Sequence, residues 1–345
     1  MPTSQWSGLE ARDNLYGNPF AFWALREFAG REYQPAIDRL GGNLFEPNIT
    51  PKFRIAPQDP IFAIGSCFAR ALEECLRPRG FRVESYRDED CLEFAGDRRQ
   101  DVRHTPDSPA VGFECREITN KYNVFSMLQQ LRWVFEEEVP PLATFLPVGD
   151  GLVQDPHACP MYTPADPATT LRRRQAMTPV FRRLADCRLL VVTLGLTEVW
   201  FDRQTNLYLN VAPDRAAVRS DPSRFSCLVT SFQENRDGLE QIYLLAKRVA
   251  PQIKVLVTVS PVALTATFRP VDVVVANMAS KCTLRAVADD WAASHADVDY
   301  FPSFELVLHS NQDVVRKVDR SHVTMSTSRA IIDLFARHYV EGEGA

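Results

Sequence analysis

Short, mainly apolar runs alternate along this chain with stretches of helical periodicity, and that alternation restricts the fold more than any other feature of the sequence. The run 61–64 ends at Gly65, and apolar residues then recur every three or four positions as far as Leu76. Continuous apolar runs are typical of strands that are buried on both faces of a sheet. Further runs of this kind occupy 188–194, 253–260 and 298–301.

The stretches between these runs predict helices that connect neighbouring strands. Helical periodicity covers 122–137, 221–249, 271–291 and 325–339, and the alternation at 81–86 predicts one more strand. Strands that are separated by helices of this length pair in parallel through right-handed crossovers. We therefore predict an α/β fold, a three-layer α/β/α sandwich around a doubly wound, mainly parallel sheet of about five strands.

Two regions fall outside this pattern. Prolines and glycines crowd together between 139 and 167, which indicates an irregular insertion over one face of the sheet. Residues 1–55 carry aromatic side chains that need an apolar surface to bury against, so we predict that they form an N-terminal arm on the core. Residues 56–345 then form a single α/β domain, which is usual for a chain of this length.

The composition argues against several classes of function. A net charge of -5 and a pI near 5.8 leave no basic stripe that would neutralise nucleic-acid phosphates. The sequence shows neither a signal-peptide pattern nor an apolar run long enough to span a bilayer, so we expect a cytoplasmic protein with no membrane span. The eight cysteines are dispersed, and no Cys or His grouping has metal-ligand spacing, so we predict reduced thiols and no metal site.

The first candidate site is the turn that follows the run 61–64. Gly65, Ser66 and Cys67 end the predicted strand and begin a helix, whose N-H groups and dipole favour a thiolate or an oxyanion at this point. Either Ser66 or Cys67 is a candidate nucleophile. The alternative is that Ser66 only caps the helix and that Cys67 is a small packed residue.

The second candidate site lies just ahead of the last predicted helix. Asp319 precedes His322 by three residues, so its carboxylate can hold the imidazole across one turn while the other ring nitrogen acts as a base. The order nucleophile, aspartate, histidine along the chain recurs in hydrolases. The alternative is that His322 is a surface or capping residue, as a histidine near the start of a helix more often is.

Five further positions are candidates for binding a substrate or an oxyanion. Gly195 closes another predicted strand and lets a substrate approach the backbone, Thr197 offers a donor, and Glu198 can order the loop. The alternative at this place is a plain turn with a helix cap. Asn123 offers donors where an asparagine is ordinarily a cap, and Asp155 either lines a pocket or lies on a solvated loop.

Most of these positions fall within blocks that resemble the GSCFA family. Residues 65–69 form the string Gly-Ser-Cys-Phe-Ala from which the family takes its name. Similar blocks follow in the family's order at 121–131, 193–200, 258–267, 280–285 and 300–305. The N-terminal segment, with Asn18-Pro19 and Phe22-Trp23, also resembles that of the family. The resemblance therefore extends over nearly the whole chain.

The GSCFA family in turn resembles the SGNH hydrolases, whose first block is Gly-Asp-Ser with the serine as nucleophile. Laid over this chain, that block puts Cys67 at the nucleophile position. The glycine of the third SGNH block corresponds to Gly195, and Thr197 stands where the oxyanion asparagine would be. Asp319 and His322 match the Asp-x-x-His block.

The resemblance implies an enzyme that cleaves or transfers an acyl group. It would be an esterase or O-acyltransferase acting on a small-molecule or glycan substrate, such as a carbohydrate or polysaccharide precursor. In this interpretation Cys67 or Ser66 carries the acyl group, and His322, oriented by Asp319, transfers the proton. No cofactor is required, and acyl-CoA would be the donor of a transferase. The alternative is a non-catalytic, SGNH-like binding module for a glycan or a partner protein. The oligomeric state is not predicted.

Overall fold

The computed structural model describes residues 5–87, 90, 119–159 and 164–342. The α-helices in these ranges are α1 (Gly8–Gly17), α2 (Ala36–Arg39), α3 (Cys67–Leu76), α4 (Val124–Phe135), α5 (Pro167–Arg182), α6 (Arg215–Ser220), α7 (Phe232–Val249), α8 (Val273–Ser294), α9 (Ser303–Leu308), α10 (Gln312–Val315) and α11 (Met325–Tyr339).

The strands in the same ranges form a four-stranded sheet, a three-stranded sheet and two two-stranded sheets. They are β1 (Glu27–Phe28), β2 (Arg31–Glu32), β3 (Ile61–Gly65), β4 (Leu146–Gly149), β5 (Leu152–Gln154), β6 (Leu189–Leu194), β7 (Glu198–Asp202), β8 (Leu207–Tyr208), β9 (Phe225–Val229), β10 (Lys254–Val259) and β11 (Val298–Tyr300).

The four-stranded sheet is the centre of the fold and is parallel throughout. Its strand order is β11-β10-β6-β3, and Gly65 at the end of β3 lies opposite Thr193 of β6. These four strands are the apolar runs of the sequence, and their bounds differ from the predicted ones by no more than one residue. The α/β fold with a mainly parallel sheet is therefore confirmed.

The strand predicted at 81–86 is not formed. Of these residues only Val83 makes a bridge, to the first residue of β3. Farther along β3, the Ser85 hydroxyl accepts a hydrogen bond from the Ala63 N-H at 3.0 Å, and Arg70 donates to the Ala63 carbonyl at 2.7 Å. Because side chains already satisfy both groups of Ala63, the backbone ladder of a further strand does not continue past Val83. The described part of the sheet thus has four strands rather than about five.

The position of Val83 nevertheless shows how the sheet is wound. The chain passes from β3 to Val83 on one side of β3 and later returns as β6 on its other side. The strand order therefore reverses at β3. In doubly wound sheets, ligands bind beyond the carboxyl ends of the strands at such a reversal. The space beyond the carboxyl ends of β3 and β6, which we call the crevice, is consequently the first place to look for a site.

Helices cover both faces of the central sheet. Successive residues of β3 point to opposite faces, so that Phe62 and Ile64 lie in one apolar cluster while Ile61 and Ala63 lie in the other. Helices α4, α5, α7 and α8 contribute to the first cluster, and α3 and α11 to the second. The helix, sheet and helix layers agree with the predicted sandwich.

Two regions differ from the sequence predictions. The helix predicted over 221–249 is shorter than expected, because residues 225–229 form β9, which pairs antiparallel with β7, and α7 begins only after Ser231. Ser231 and Glu234 form a capping box there, which sets the start of the helix. The insertion at 139–167 contains the β4–β5 hairpin, and the unpredicted helix α5 follows it. Cross-strand pairing and a local cap thus override the helical periodicity in this part of the chain.

The segment 43–55 lies against the central domain. Ile55 bridges Val340 beyond the end of α11, and the Lys52 N-H donates to the Asp299 carboxylate at 2.9 Å. These bonds join the segment to the end of the last helix and to β11. The division of the chain at residue 55 into an arm and a domain stays a prediction.

Candidate functional site

Two glycines, at the end of β3 and just after β6, each let a neighbouring chain segment approach closely. A Cβ atom on Gly65, whose φ is +146°, would lie 1.9 Å from the hydroxyl oxygen of Thr193. A Cβ atom on Gly195 would lie 2.5 Å from the carbonyl oxygen of Tyr122. Because neither distance leaves room for a side chain, glycine is required at both positions. The structure therefore places both predicted glycines at the strand reversal.

Ser66 is held by hydrogen bonds at the base of this crevice. Its N-H donates to the Thr193 hydroxyl at 3.1 Å, and its own hydroxyl donates to Ser260 at 3.1 Å. The same oxygen accepts from the Phe68 N-H at 3.4 Å, which makes Ser66 the N-cap of α3. Ser66 is only 5% exposed. The capping role considered for Ser66 is thus confirmed.

Cys67 is the first residue of α3 and is half-buried. The unpaired N-H groups of a first helical turn carry partial positive charge, and α3 is ten residues long. A thiolate is favoured at such a position relative to a thiolate in water. Of the two candidate nucleophiles, Cys67 is therefore the more exposed one, and it lies at the positive end of a helix.

Lys281 was not predicted as a site residue, yet it lies under the same crevice. It is 2% exposed, and its ammonium donates to the Gly195 carbonyl at 2.7 Å. Burial lowers the pKa of Lys281 to about 7, the charge of Cys67 acts to raise it, and the charge of Arg316 lowers it further. The sequence does hold a signal, because this lysine stands at helical spacing from the apolar Leu284 and Ala288.

Asp319 and His322 form a hydrogen-bonded pair in the turn before α11. His322 Nδ1 lies 2.6 Å from Asp319 Oδ2, and the His322 N-H donates to the other carboxylate oxygen at 3.0 Å. Burial acts to raise the pKa of the Asp319 carboxyl, but the hydrogen bonds from His322 and Ser321 lower it overall. The carboxylate fixes the ring through Nδ1, so Nε2 is the ring atom suited to proton transfer.

Arg316 ties this turn to the carboxyl end of β10. Its Nη1 donates to the Pro261 carbonyl at 3.0 Å and to the Ser321 carbonyl at 2.8 Å. Pro261 directly follows Ser260, whose hydroxyl is bonded to Ser66. The turn before the last helix and the turn after β3 therefore lie at the same edge of the sheet.

Thr197 and Glu198 are engaged in structural contacts. The N-H and the hydroxyl of Thr197 both donate to the Ser280 hydroxyl, at 2.8 Å and 3.2 Å. An oxyanion role for Thr197 would require these bonds to break. Glu198 accepts from the Thr267 hydroxyl at 2.7 Å and from the Phe268 N-H at 2.9 Å. Glu198 thus holds the loop that follows β10, and its predicted role in ordering the loop at Gly195 stays a prediction.

Asn123 and Asp155 stabilise the chain next to the crevice. Asn123 is the N-cap of α4, since its Oδ1 accepts from the Ser126 N-H at 2.8 Å, and its amide donates to the Leu209 carbonyl at 3.0 Å. Asp155 forms a buried ion pair with Arg174, whose Nε lies 2.7 Å from Oδ2. Asp155 is therefore not on a solvated loop, and a substrate-binding role for either residue stays a prediction.

Two kinds of feature are missing from the part of the chain that the structure describes. Residues 5–87, 90, 119–159 and 164–342 contain no group of three or more His, Cys, Asp or Glu side chains arranged to hold a metal ion. None of the helices in these ranges has the length and apolar composition that a bilayer crossing requires.

The fold and the site together define a class of protein, namely a three-layer α/β protein with a thiol, a buried ammonium and a histidine-carboxylate pair at the carboxyl edge of its parallel sheet. The chain belongs to the GSCFA family, whose family model matches residues 60–335. The matched range includes the crevice from Gly65 to His322, and the membership predicted from the sequence is confirmed. No curated protein matches the chain.

Proposed function

We propose that this protein is an acyl-transfer enzyme, an esterase or O-acyltransferase, that forms an acyl-enzyme on Cys67. One observation carries the proposal: the His322–Asp319 pair and the turn that ends β3 lie at the same edge of the sheet, connected through Arg316 and the end of β10. A base and a nucleophile at the strand reversal of a doubly wound sheet are the elements that acyl transfer needs.

Several contacts favour Cys67 over Ser66 as the nucleophile. The Ser66 hydroxyl already donates to Ser260 and accepts from the first turn of α3, and its side chain is nearly inaccessible. Cys67 is half-buried and begins the helix. A thiolate attacks carbonyl carbon readily, while a serine would first have to give up its bond to Ser260.

The proposed chemistry proceeds in two steps. The Cys67 sulfur attacks as a thiolate on the carbonyl carbon of an ester or thioester, the bond to the leaving group breaks, and His322 gives the proton that it carries to the departing oxygen or sulfur. Water or a hydroxyl acceptor then attacks the acyl-enzyme and passes its proton to His322, the bond between the acyl carbon and the Cys67 sulfur breaks, and the site returns to its starting state. Asp319 holds the imidazole through Nδ1 in both steps.

The oxyanion of each step needs donors that are fixed in place. We assign this role to the backbone N-H groups of Cys67, at the start of α3, and of Gly195, since those of Phe68 and Leu196 already donate to Ser66 and to the Tyr122 carbonyl. Thr197 is not included, because both of its donors are bonded to Ser280.

The substrate class rests on the resemblance to the SGNH hydrolases, which is a weaker argument than the geometry. It suggests an O-acyl group on a carbohydrate or polysaccharide precursor, with acyl-CoA as the donor if the enzyme is a transferase.

The experiment measures turnover of p-nitrophenyl acetate and of acetyl-CoA by Cys67→Ala, Ser66→Ala and His322→Ala. We expect Cys67→Ala and His322→Ala to lose at least about 100-fold in kcat, because each removes a group that acts on the reacting atoms. Ser66→Ala should retain turnover within about tenfold. The exposed His309, changed to alanine, is the control for loss of a histidine and should be unaffected.

Two results would alter or remove the proposal. If Ser66→Ala loses activity and Cys67→Ala keeps it, the acyl group is carried by the serine. If all three variants turn over both compounds like the wild type, the chemistry does not occur at this crevice.

One observation favours the alternative, a non-catalytic binding module for a glycan or a partner protein. Thr197 takes the place of the SGNH oxyanion asparagine, and its donors point to Ser280. A wild-type protein that binds an oligosaccharide in calorimetry, with binding retained in His322→Ala and no turnover of either acyl compound, would support the module over the enzyme.

A further inference from the structure

Lys281 is buried beneath the crevice without a role in the mechanism described above. It lies on the covered face of α8, and its Nζ donates to the carbonyl of Gly195, immediately after the end of β6. The ammonium is therefore attached to one of the two turns that form the crevice.

The other turn, at the start of α3, is next to it. Thr193, two residues before Gly195, accepts a hydrogen bond from the Ser66 N-H at 3.1 Å, and Cys67 follows Ser66 directly. The charge of Cys67 acts to raise the pKa of Lys281. The thiol and the ammonium thus lie at the same end of the β3–β6 pair.

A buried ammonium needs an opposite charge close to it. Removing a charged group from water is unfavourable unless a partner compensates, and one carbonyl oxygen does so only in part. Within the described residues, Lys281 forms no salt bridge with a carboxylate. The charged groups that act on it are Cys67 from α3 and Arg316 from the segment before α11, and Arg316 repels it. An ionised Cys67 is the counter-charge that this arrangement offers.

We propose that Lys281 is a positioning residue whose ammonium holds Cys67 as a thiolate at neutral pH, so that the nucleophile is charged before a substrate arrives. The inference rests on the proposed function, because it takes Cys67 as the nucleophile. The pair shares one proton: the Cys67 thiol gives it to the Lys281 amine, and the attraction between the thiolate and the ammonium that result opposes the effect of burial on the lysine. His322 then gives a proton to the leaving group and takes one from the acceptor, and it is not needed to deprotonate the thiol.

The test follows the rate at which iodoacetamide alkylates Cys67, read by peptide mass spectrometry from about pH 5 to about pH 10. In the wild type, we expect the half-maximal rate at least about one pH unit below the value of about 8.5 for an ordinary thiol. Lys281→Met should raise this midpoint by about one unit or more and lower the rate at about pH 6.5 by about tenfold.

Lys121 supplies a matched control. It is also fully buried, its ammonium also donates to one carbonyl at 2.7 Å, that of His157, and burial also lowers the pKa of Lys121 to about 7. The charges that act most on it are those of Asp155 and Arg174 instead of Cys67. Lys121→Met removes a comparable ammonium from the core, so we expect it to leave the alkylation midpoint of Cys67 unchanged.

Two outcomes overturn the proposal. The first is a folded Lys281→Met protein, checked by circular dichroism, that keeps the wild-type midpoint. The second is a wild-type Cys67 that titrates like an ordinary thiol. If Lys281→Met does not fold, the test is made on the wild type. The difference in thiolate absorbance at about 240 nm between the wild type and Cys67→Ser should be present at about pH 6.5. Its absence overturns the proposal. No acyl compound is used, so a failure of esterase activity would leave this result standing.

Discussion

At the scale of single residues, Gly65 and Gly80 both have a positive φ, but they differ in what surrounds them. Both have positive φ, +146° and +85°, in the range that side chains other than glycine rarely adopt. A Cβ atom on Gly65 would collide with Thr193, whereas nothing lies within 4 Å of one on Gly80. An alanine at position 80 would therefore meet backbone strain alone, whereas one at position 65 would meet a steric clash in addition.

We predict that Gly65→Ala lowers the free energy of unfolding by about 2–4 kcal/mol and that Gly80→Ala lowers it by about 1–2 kcal/mol. Both substitutions place a side chain on a residue with positive φ, which strains the backbone. Only Gly65→Ala also forces β3 and β6 apart. Urea denaturation followed by circular dichroism measures the two values. Equal losses in the two variants would show that the contact between Gly65 and Thr193 can relax without cost.

At the scale of elements, helices α4 and α7 both begin at a side-chain cap, but the two caps differ in the groups that they bind. Asn123 caps α4 through the Ser126 N-H and also donates to the carbonyl of Leu209, which is distant in the chain. Ser231 caps α7 in an exposed capping box within its own helix. The cap of α4 therefore also holds a segment that is distant in the chain, whereas the cap of α7 stabilises only its own helix.

We predict that Asn123→Ala costs about 2–3 kcal/mol of stability, while Ser231→Ala costs about 1 kcal/mol. A lost cap accounts for the shared part of the two values. The difference comes from the Leu209 carbonyl, which is left without its donor in the buried interior. Thermal or urea unfolding of both variants tests this, and a larger loss in Ser231→Ala would contradict it.

The element scale also shows where sequence patterns were sufficient. The runs at 61–64 and 188–194 are buried on both faces of the sheet, so their apolar patterns are strong and their bounds are accurate. The alternation at 81–86 is just as regular, but the strand does not form. The side chains of Ser85 and Arg70 take the backbone hydrogen bonds of β3 that it would need. A pattern of apolar residues carries no information on which polar group takes a given backbone hydrogen bond.

At the scale of the whole molecule, stability should depend on acidity through buried groups. His157 is completely covered, and its Nε2 has no hydrogen-bond partner among the described residues. Burial lowers the pKa of His157 to about 3, although Asp155 acts to raise it. Between that value and the value of about 6.5 in an unfolded chain, the unfolded state binds one more proton than the folded state. Stability is therefore lost as the pH falls from about 6.5 towards 3, by about 1.4 kcal/mol per unit.

We predict that His157→Phe makes the protein less sensitive to acid. Between about pH 7.5 and about pH 5, the decrease in unfolding free energy should be smaller by about 2 kcal/mol than in the wild type. Urea titrations at the two pH values give the decrease for each protein. The exposed His309, changed to phenylalanine, serves as the control and should behave like the wild type. An unchanged acid sensitivity of His157→Phe would mean that this imidazole is already protonated in the folded state.

The sequence by itself determined the parallel α/β sheet, the main helices, the family, and pairs whose members are close in the chain, such as Asp319 and His322. Those features depend on the spacing of neighbours, which the order of residues contains directly. Only the tertiary structure decided that Lys281 lies under Gly195, 86 residues away, and that Arg316 joins the histidine turn to the end of β10. Such contacts follow from how the layers pack. The sequence places the lysine on the apolar face of a helix, but the carbonyl that its ammonium contacts depends on where the sheet lies relative to that helix.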